Sequence, residues 1–290
     1  MKPPVAAGEQ RHPSAGERAA LLALLGDEDP RVFQAVRDRL LQCAPESAHW
    51  LRENLLSRDP VTRRHAREIV HLIERQTADH RFLGFCLGHG EDLDLEQGVW
   101  LLARTQYPEI NIDAYRALLD HFAAELRELL CDAPSPLSRL AVMNDHLFND
   151  LGFRGNEVDY YDPDNSYLNR VIDRRTGNPI SLSLLYWLLG RRVGLPIVGI
   201  AMPGHFICRH QTSTESVFID AFNRGKLLAR SDCVRFLHQS GHGFHESYLT
   251  PATPRGTLLR VCTNLHEVYA DRGLREETAR LRRYLVALSG

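Results

Sequence analysis

Ser181, His205 and Asp220 are the residues of this 290-residue sequence whose types and order suit nucleophilic chemistry. A serine hydroxyl is a weak attacker by itself. An imidazole that takes its proton, oriented by a carboxylate, makes it competent for acyl transfer on a peptide or amide. Each residue stands where such a role can be filled. Ser181 follows Asn178-Pro179, in which Asn caps a helix and Pro lacks only an N–H that would be free anyway, so Ser181 falls in the first helical turn. Unpaired backbone N–H groups and the positive end of the helix dipole gather there, a setting that favours an oxyanion. His205 opens a strand after the turn Met202-Pro203-Gly204, and Asp220 lies near the end of the next strand. With residues 211–214 as the hairpin loop, His205 pairs opposite Asp220, with Cβ atoms ~5 Å apart on one face.

Each of these residues also has a plainer role open to it. Ser181 can satisfy first-turn backbone donors, His205 can be a strand histidine fixed by a hydrogen bond, and Asp220 can order the turn Asn223-Arg224-Gly225. Cys208, on the strand of His205 but an odd number of positions away, points to the opposite face and reads as core. His242 and His245 in GHGFHE have no third ligand nearby and read as loop residues, so neither a metal nor a cofactor is expected. The stretch Asp159, Tyr160, Tyr161, Asp162 and Asp164 reads as a packed surface loop, with the lining of a cleft entrance as its alternative.

The elements that position the three residues follow from apolar spacing and from Gly and Pro. ISLSLLYWLLG, after Pro179, is apolar nearly all round and belongs in a core, ending at Arg191, Arg192 and Gly194. Three strand-like runs follow, 196–201, 205–210 and 217–222, with QTSTES joining the last two. Residues 137–150 and 166–174 read as helices, and 152–164 as a loop. Upstream, apolar residues recur at helical spacing, and LLGDEDPRVFQAVRDRLL resembles LLSRDPVTRRHAREIVHL, each with an Asp-Pro turn before an amphipathic helix. Two such hairpins look like HEAT repeats.

The expected fold is α+β: a disordered N-terminus (1–16), a helical region with HEAT-like hairpins (17–130), a central α+β domain (131–250) and a helical hairpin (251–290). Net charge is −2, with 35 basic and 37 acidic residues spread along the chain, so neither nucleic acid nor an anionic membrane is an expected partner. The six cysteines stand far apart, without metal-site or disulfide spacing, and no apolar run suits a signal peptide or membrane helix. A cytoplasmic location is expected.

The run SYLNRVIDRRTGNPISLSLLYWLLGRRVGLPIVGIAMPGHFICRH, followed by FIDAFNRGKLL, resembles the SirB-type branch of bacterial transglutaminase-like proteins over about residues 90–285. The resemblance is carried most specifically by Gly177-Asn178-Pro179-Ile180-Ser181-Leu182, Pro203-Gly204-His205-Phe206 and Ile219-Asp220-Ala221-Phe222. It implies a papain/transglutaminase-like central domain with a tetratricopeptide-like tail, a helix bearing the nucleophile position, and successive strands bearing His205 and Asp220. In active members of that family the nucleophile is Cys. Here the nearest candidate is Ser181, and aligning on Gly194-Leu195-Pro196 puts the usual Cys nearer Pro179.

The expectation is therefore a non-catalytic or weakly active member, with Ser in place of Cys, that binds a peptide or protein through its cleft and helical segments. The alternative is a Ser-His-Asp hydrolase, amidase or acyl transferase built on Ser181, His205 and Asp220.

Overall fold

Proline at the first helical position, behind a capping side chain, starts several of the helices. Asp29 Oδ1 accepts from Arg31 N at 2.8 Å ahead of Pro30, and Asp59 Oδ2 from Thr62 N at 2.8 Å ahead of Pro60. Asn178 and Thr253 cap in the same way before Pro179 and Pro254. The computed structural model describes residues 13–44, 46–211 and 216–290. Most of the expected disordered start (1–16) and most of the polar connection 211–216 lie outside those residues.

The chain divides into two units, one holding residues up to 81 together with 104–109, the other residues 82–103 and 110–290. The first contains α1 (Ala15–Ala23), α2 (Pro30–Gln42), α3 (Glu46–Leu51) and residues 60–81 of α4 (Pro60–Gly88). Leu25, Leu40, Leu51 and Ile69 form its buried centre, the apolar faces that helical spacing aligned.

The second unit carries the sheet. Strands β3 (Ile197–Met202), β4 (His205–Gln211), β5 (Ser216–Asp220) and β6 (Lys226–Leu228) are antiparallel in the order β3-β4-β5-β6. A separate parallel pair joins β1 (Arg154–Gly155) to β2 (Thr176–Gly177). Helix α9 (Pro179–Arg192) is buried at every residue from Pro179 to Gly190 and packs on β3 and β4. α6 (Ile112–Leu129) and α8 (Leu168–Arg174) also pack on α9. Its apolar circumference follows from being surrounded. On the sheet's other face, Ile200, Ile207 and Phe218 pack with Cys233 and Leu237 of α10 (Arg230–Gln239).

The α5 (Leu95–Gln106), α7 (Pro136–Asn144), α11 (Pro254–Asp271) and α12 (Arg275–Ser289) helices complete the order, with a π-helical segment, Asp145–Asp150, after α7. Buried Arg255, in the first turn of α11, donates to Cys86 O and His89 O at the end of α4 (3.0 and 2.7 Å). It also donates to Ala287 O and Leu288 O at the end of α12 (2.7 and 2.9 Å). One guanidinium thus serves carbonyls at two helix C-termini, whose negative dipole ends favour a cation.

The hairpin register differs from the expectation. Cys208 pairs with Ile219 and Gln211 with Ser216, so continuing the ladder puts Ile207, not His205, opposite Asp220. The slip is two residues. Because side chains alternate with period two, His205 and Asp220 stay on one face as diagonal neighbours. β5 also ends at Asp220 rather than 222, because the chain turns there: Gly225 N donates to Asp220 O at 2.8 Å, with Arg224 and Gly225 at φ 54° and 71°. A Cβ on Gly225 would run into the Asn144 side chain, whose Nδ2 donates to Gly225 O at 2.7 Å. Among the described residues no helix is long and apolar enough to cross a membrane.

Candidate functional site

His205 begins β4 immediately after the turn at Gly204, and Asp220 ends β5, so both sit at one end of the sheet on the face that α10 covers. His205 Nε2 lies 2.9 Å from Asp220 Oδ2, and the two side chains are 11% and 8% exposed. The ring also rests against Phe236 of α10, with centroids 5.5 Å apart. Nε2 is committed to the carboxylate. That leaves Nδ1 as the imidazole nitrogen available to a ligand.

Asp220 is held from a second side. Asn223 Nδ2 donates to its Oδ2 at 2.8 Å and Asn223 N to its Oδ1 at 3.2 Å. Burial alone would push this carboxyl up, but the hydrogen bond and charge of His205, with the two Asn223 donors, outweigh it and hold the pKa below the ordinary value. The carboxylate therefore both orients the imidazole and orders the turn that follows it.

Ser181 has a different set of partners. It is 1% exposed, and its Oγ donates to Asn165 O at 2.6 Å while accepting from Asn178 N at 3.1 Å. Its own N–H donates to Asn178 Oδ1 at 3.0 Å, closing a reciprocal capping box. Among the described residues no hydrogen bond links Ser181 to His205. Pro179, two positions earlier, lines the same space as His205.

That space is a pair of hollows with shared walls. One, of about 580 Å³, runs from Pro179, Gly204 and His205 to Arg260 and Asn264 of α11. The other, of about 550 Å³, runs from Pro179 and His205 past Asp220 to Phe222, Lys226 and Phe236. Tyr160 belongs to both, its ring edge-on to Phe222 at 5.9 Å. Its loop is also packed by ion pairs, Arg170 to Asp164 at 3.0 Å and Arg174 to Asp162 at 2.6 Å. Both readings of the acidic-aromatic loop thus have a structural counterpart. Among the described residues no group of three or more His, Cys, Asp and Glu is placed to hold a metal ion, and His245 Nδ1 lies 2.7 Å from Ser247 Oγ.

A family profile described as "Transglutaminase-like superfamily" matches residues 113–263, just over half of the chain. The chain belongs to the transglutaminase-like superfamily. Within it, the chain is 35% identical over 196 residues to a UPF0162 protein of Xylella fastidiosa, covering 66% of this chain and 70% of that one. A UPF0162 protein of Vibrio cholerae is 26% identical over 149 residues, 51% of this chain and 55% of that one. Human F-box only protein 21 is 39% identical over 108 residues, 34% of this chain but 17% of the much longer relative. No solved structure matches.

The transglutaminase-like domain also uses residues that sequence reasoning passed over. Asn223 was visible only as a turn residue, although its place three positions after an Asp is the spacing of a side chain that reaches back to an acceptor. Phe236, which rests against the His205 ring, carries no sequence signal for that place. Arg260 and Asn264 reach the hollow from α11, which spacing alone could not bring to the site.

Proposed function

We propose that this chain is a non-catalytic, peptide-binding member of its superfamily, with base and orienter retained and no nucleophile presented to them. One observation carries the reading: Pro179 lines both His205 hollows and Asn178 and Ile180 line one of them, none with a nucleophilic side-chain atom, while the Ser181 hydroxyl lines neither and is spent on Asn165 O and the capping box. A hydroxyl held by an accepting carbonyl and a donating N–H gains nothing from an imidazole it does not touch.

Binding suits the cleft that remains. It is walled by aromatic and aliphatic groups (Tyr160, Pro179, Phe206, Phe222) and edged by polar ones (Asn178, His205, Asn264), the mix that holds an extended segment by its backbone and alternate side chains. The SirB-type assignment belongs to the same reading, with α11–α12 as a tetratricopeptide-like hairpin and the N-terminal helices as HEAT-like units offering further surface for a protein partner.

The alternative, a Ser-His-Asp hydrolase or acyl transferase, keeps one specific support, the short His205–Asp220 hydrogen bond. Intact-mass spectrometry after incubation with a fluorophosphonate and a peptidyl acyloxymethyl ketone separates the two. The binding reading expects no adduct on Ser181; a stoichiometric adduct there transfers the case to the hydrolase.

A further inference from the structure

A third hollow, of about 800 Å³, opens beside the cleft and shares Phe222 and Asn223 with it. Three guanidinium-bearing residues line it: Arg154, Arg174 and Arg224. Arg174 is committed to the neighbouring loop, 2.6 Å from Asp162 Oδ2 and 3.3 Å from Asp164 Oδ2. Arg154 and Arg224 are different. Neither guanidinium has a hydrogen-bond or ion-pair partner among the described residues, and Glu157 is the carboxylate in the wall.

The backbone here is built at some expense. Arg224 holds φ at 54°, a left-handed conformation that any residue with a Cβ adopts at a cost, in the turn that also supplies Asn223 to Asp220. Gly155, in the same wall, lets the Phe222 ring lie against the backbone, where an added Cβ would come within 2.7 Å of the ring. Such a turn fixes Arg224 relative to His205 through Asp220, Phe222 and Asn223. Two unpaired guanidiniums at a polar hollow are a receptor for an anion. The Glu157 carboxylate in the wall favours a singly charged group over a doubly charged one.

We infer that this hollow is a subsite for an acidic side chain of the peptide that occupies the neighbouring cleft, held by Arg154 and Arg224. The inference rests on the peptide-binding reading above and adds the sequence preference of the ligand.

The test uses the full chain and three pools of acetylated, amidated, fluorescent octapeptides with uncharged random positions and one fixed central residue: Glu, Ala or Lys. Anisotropy should give the Glu pool an affinity about ten-fold or more above the Ala pool, with the Lys pool weakest. Arg154→Ala and Arg224→Gly should each bring the Glu pool down to the level of the Ala pool and leave the Ala pool unchanged. Arg224→Gly suits the existing φ, so its thermal midpoint should not fall and lost binding cannot be put down to misfolding. Pools that bind alike overturn the subsite and leave the peptide cleft standing; pools that all fail to bind overturn both. Inorganic phosphate should displace the Glu pool only far above the pool's own concentration. Displacement at equal concentration assigns the hollow to a free anion and overturns the proposal.

Discussion

Pro179 and His205 line the same two hollows, one at the first turn of α9 and the other at the first residue of β4. A helix N-terminus facing a carboxylate-oriented imidazole is the setting in which a thiol is activated, because both lower its pKa. Here that setting surrounds a pyrrolidine ring. Ser181 lies two positions further along the helix, on the side that meets Asn165 and Asn178.

Ser181→Ala is expected to change stability and not reactivity. It removes the N3 half of the capping box and leaves Asn165 O without its hydroxyl donor, a loss of about 1–2 kcal/mol. Urea unfolding of the variant measures it. A neutral substitution contradicts the structural role.

Asp220→Asn carries a pH signature. The folded carboxyl sits below its ordinary value, so the unfolded chain takes up the proton first. Its stabilisation is fully present above roughly pH 4 and is lost as pH falls through the folded pKa. The variant should therefore be less stable than the parent at neutral pH, by about 1–3 kcal/mol, with the gap closing in acid. Denaturant unfolding across pH checks this, and a gap that widens on acidification has the wrong sign.

Gly225→Ala meets two obstacles together, a positive φ of 71° and the Asn144 side chain. A loss of about 2–4 kcal/mol is expected, with weakened hydrogen bonding of Asn223 to Asp220 as the local consequence. Thermal unfolding and the His205 NMR resonances report the two effects.

Arg255→Met should cost about 3 kcal/mol or more, since four buried or half-buried carbonyls at the ends of α4 and α12 lose their donor at once. Hydrogen exchange should show the gain in opening at those two helix ends first. Uniform loosening of the whole chain would contradict the local role.

How much of this could be read from the residues depends on the range of the physics involved. Asn178-Pro179 announces the α9 start and ISLSLLYWLLG its burial, because capping and all-round apolarity are local or composition-borne properties. The face shared by His205 and Asp220 survives a two-residue error in register because side-chain alternation has the same period. The direction of the Ser181 hydroxyl does not survive in the same way: it depends on Asn165 O, sixteen positions away, and a first-turn Ser reads alike as cap or nucleophile. Strands as short as β1, β2 and β6 hold too few residues for periodicity to register. The contribution of α11 to the cleft is a tertiary matter altogether.

The most direct measurement is the alkylation rate of a thiol placed at each of the two α9 positions. Pro179→Cys and Ser181→Cys would be made in a chain whose less buried cysteines, Cys43 and Cys131, are Ser, each with and without His205→Ala. The native background is then quiet, since burial pushes Cys86 and Cys208 up to about 12 and Cys233 to about 11, and carries Cys262 well above its ordinary value. At neutral pH, Pro179→Cys should react with iodoacetamide about ten-fold or more faster than Ser181→Cys and lose that advantage without His205, because only the first thiol meets the imidazole at the helix N-terminus. A Ser181→Cys thiol that reacts faster than Pro179→Cys and slows when His205 is removed would place Ser181 in the site and contradict the account.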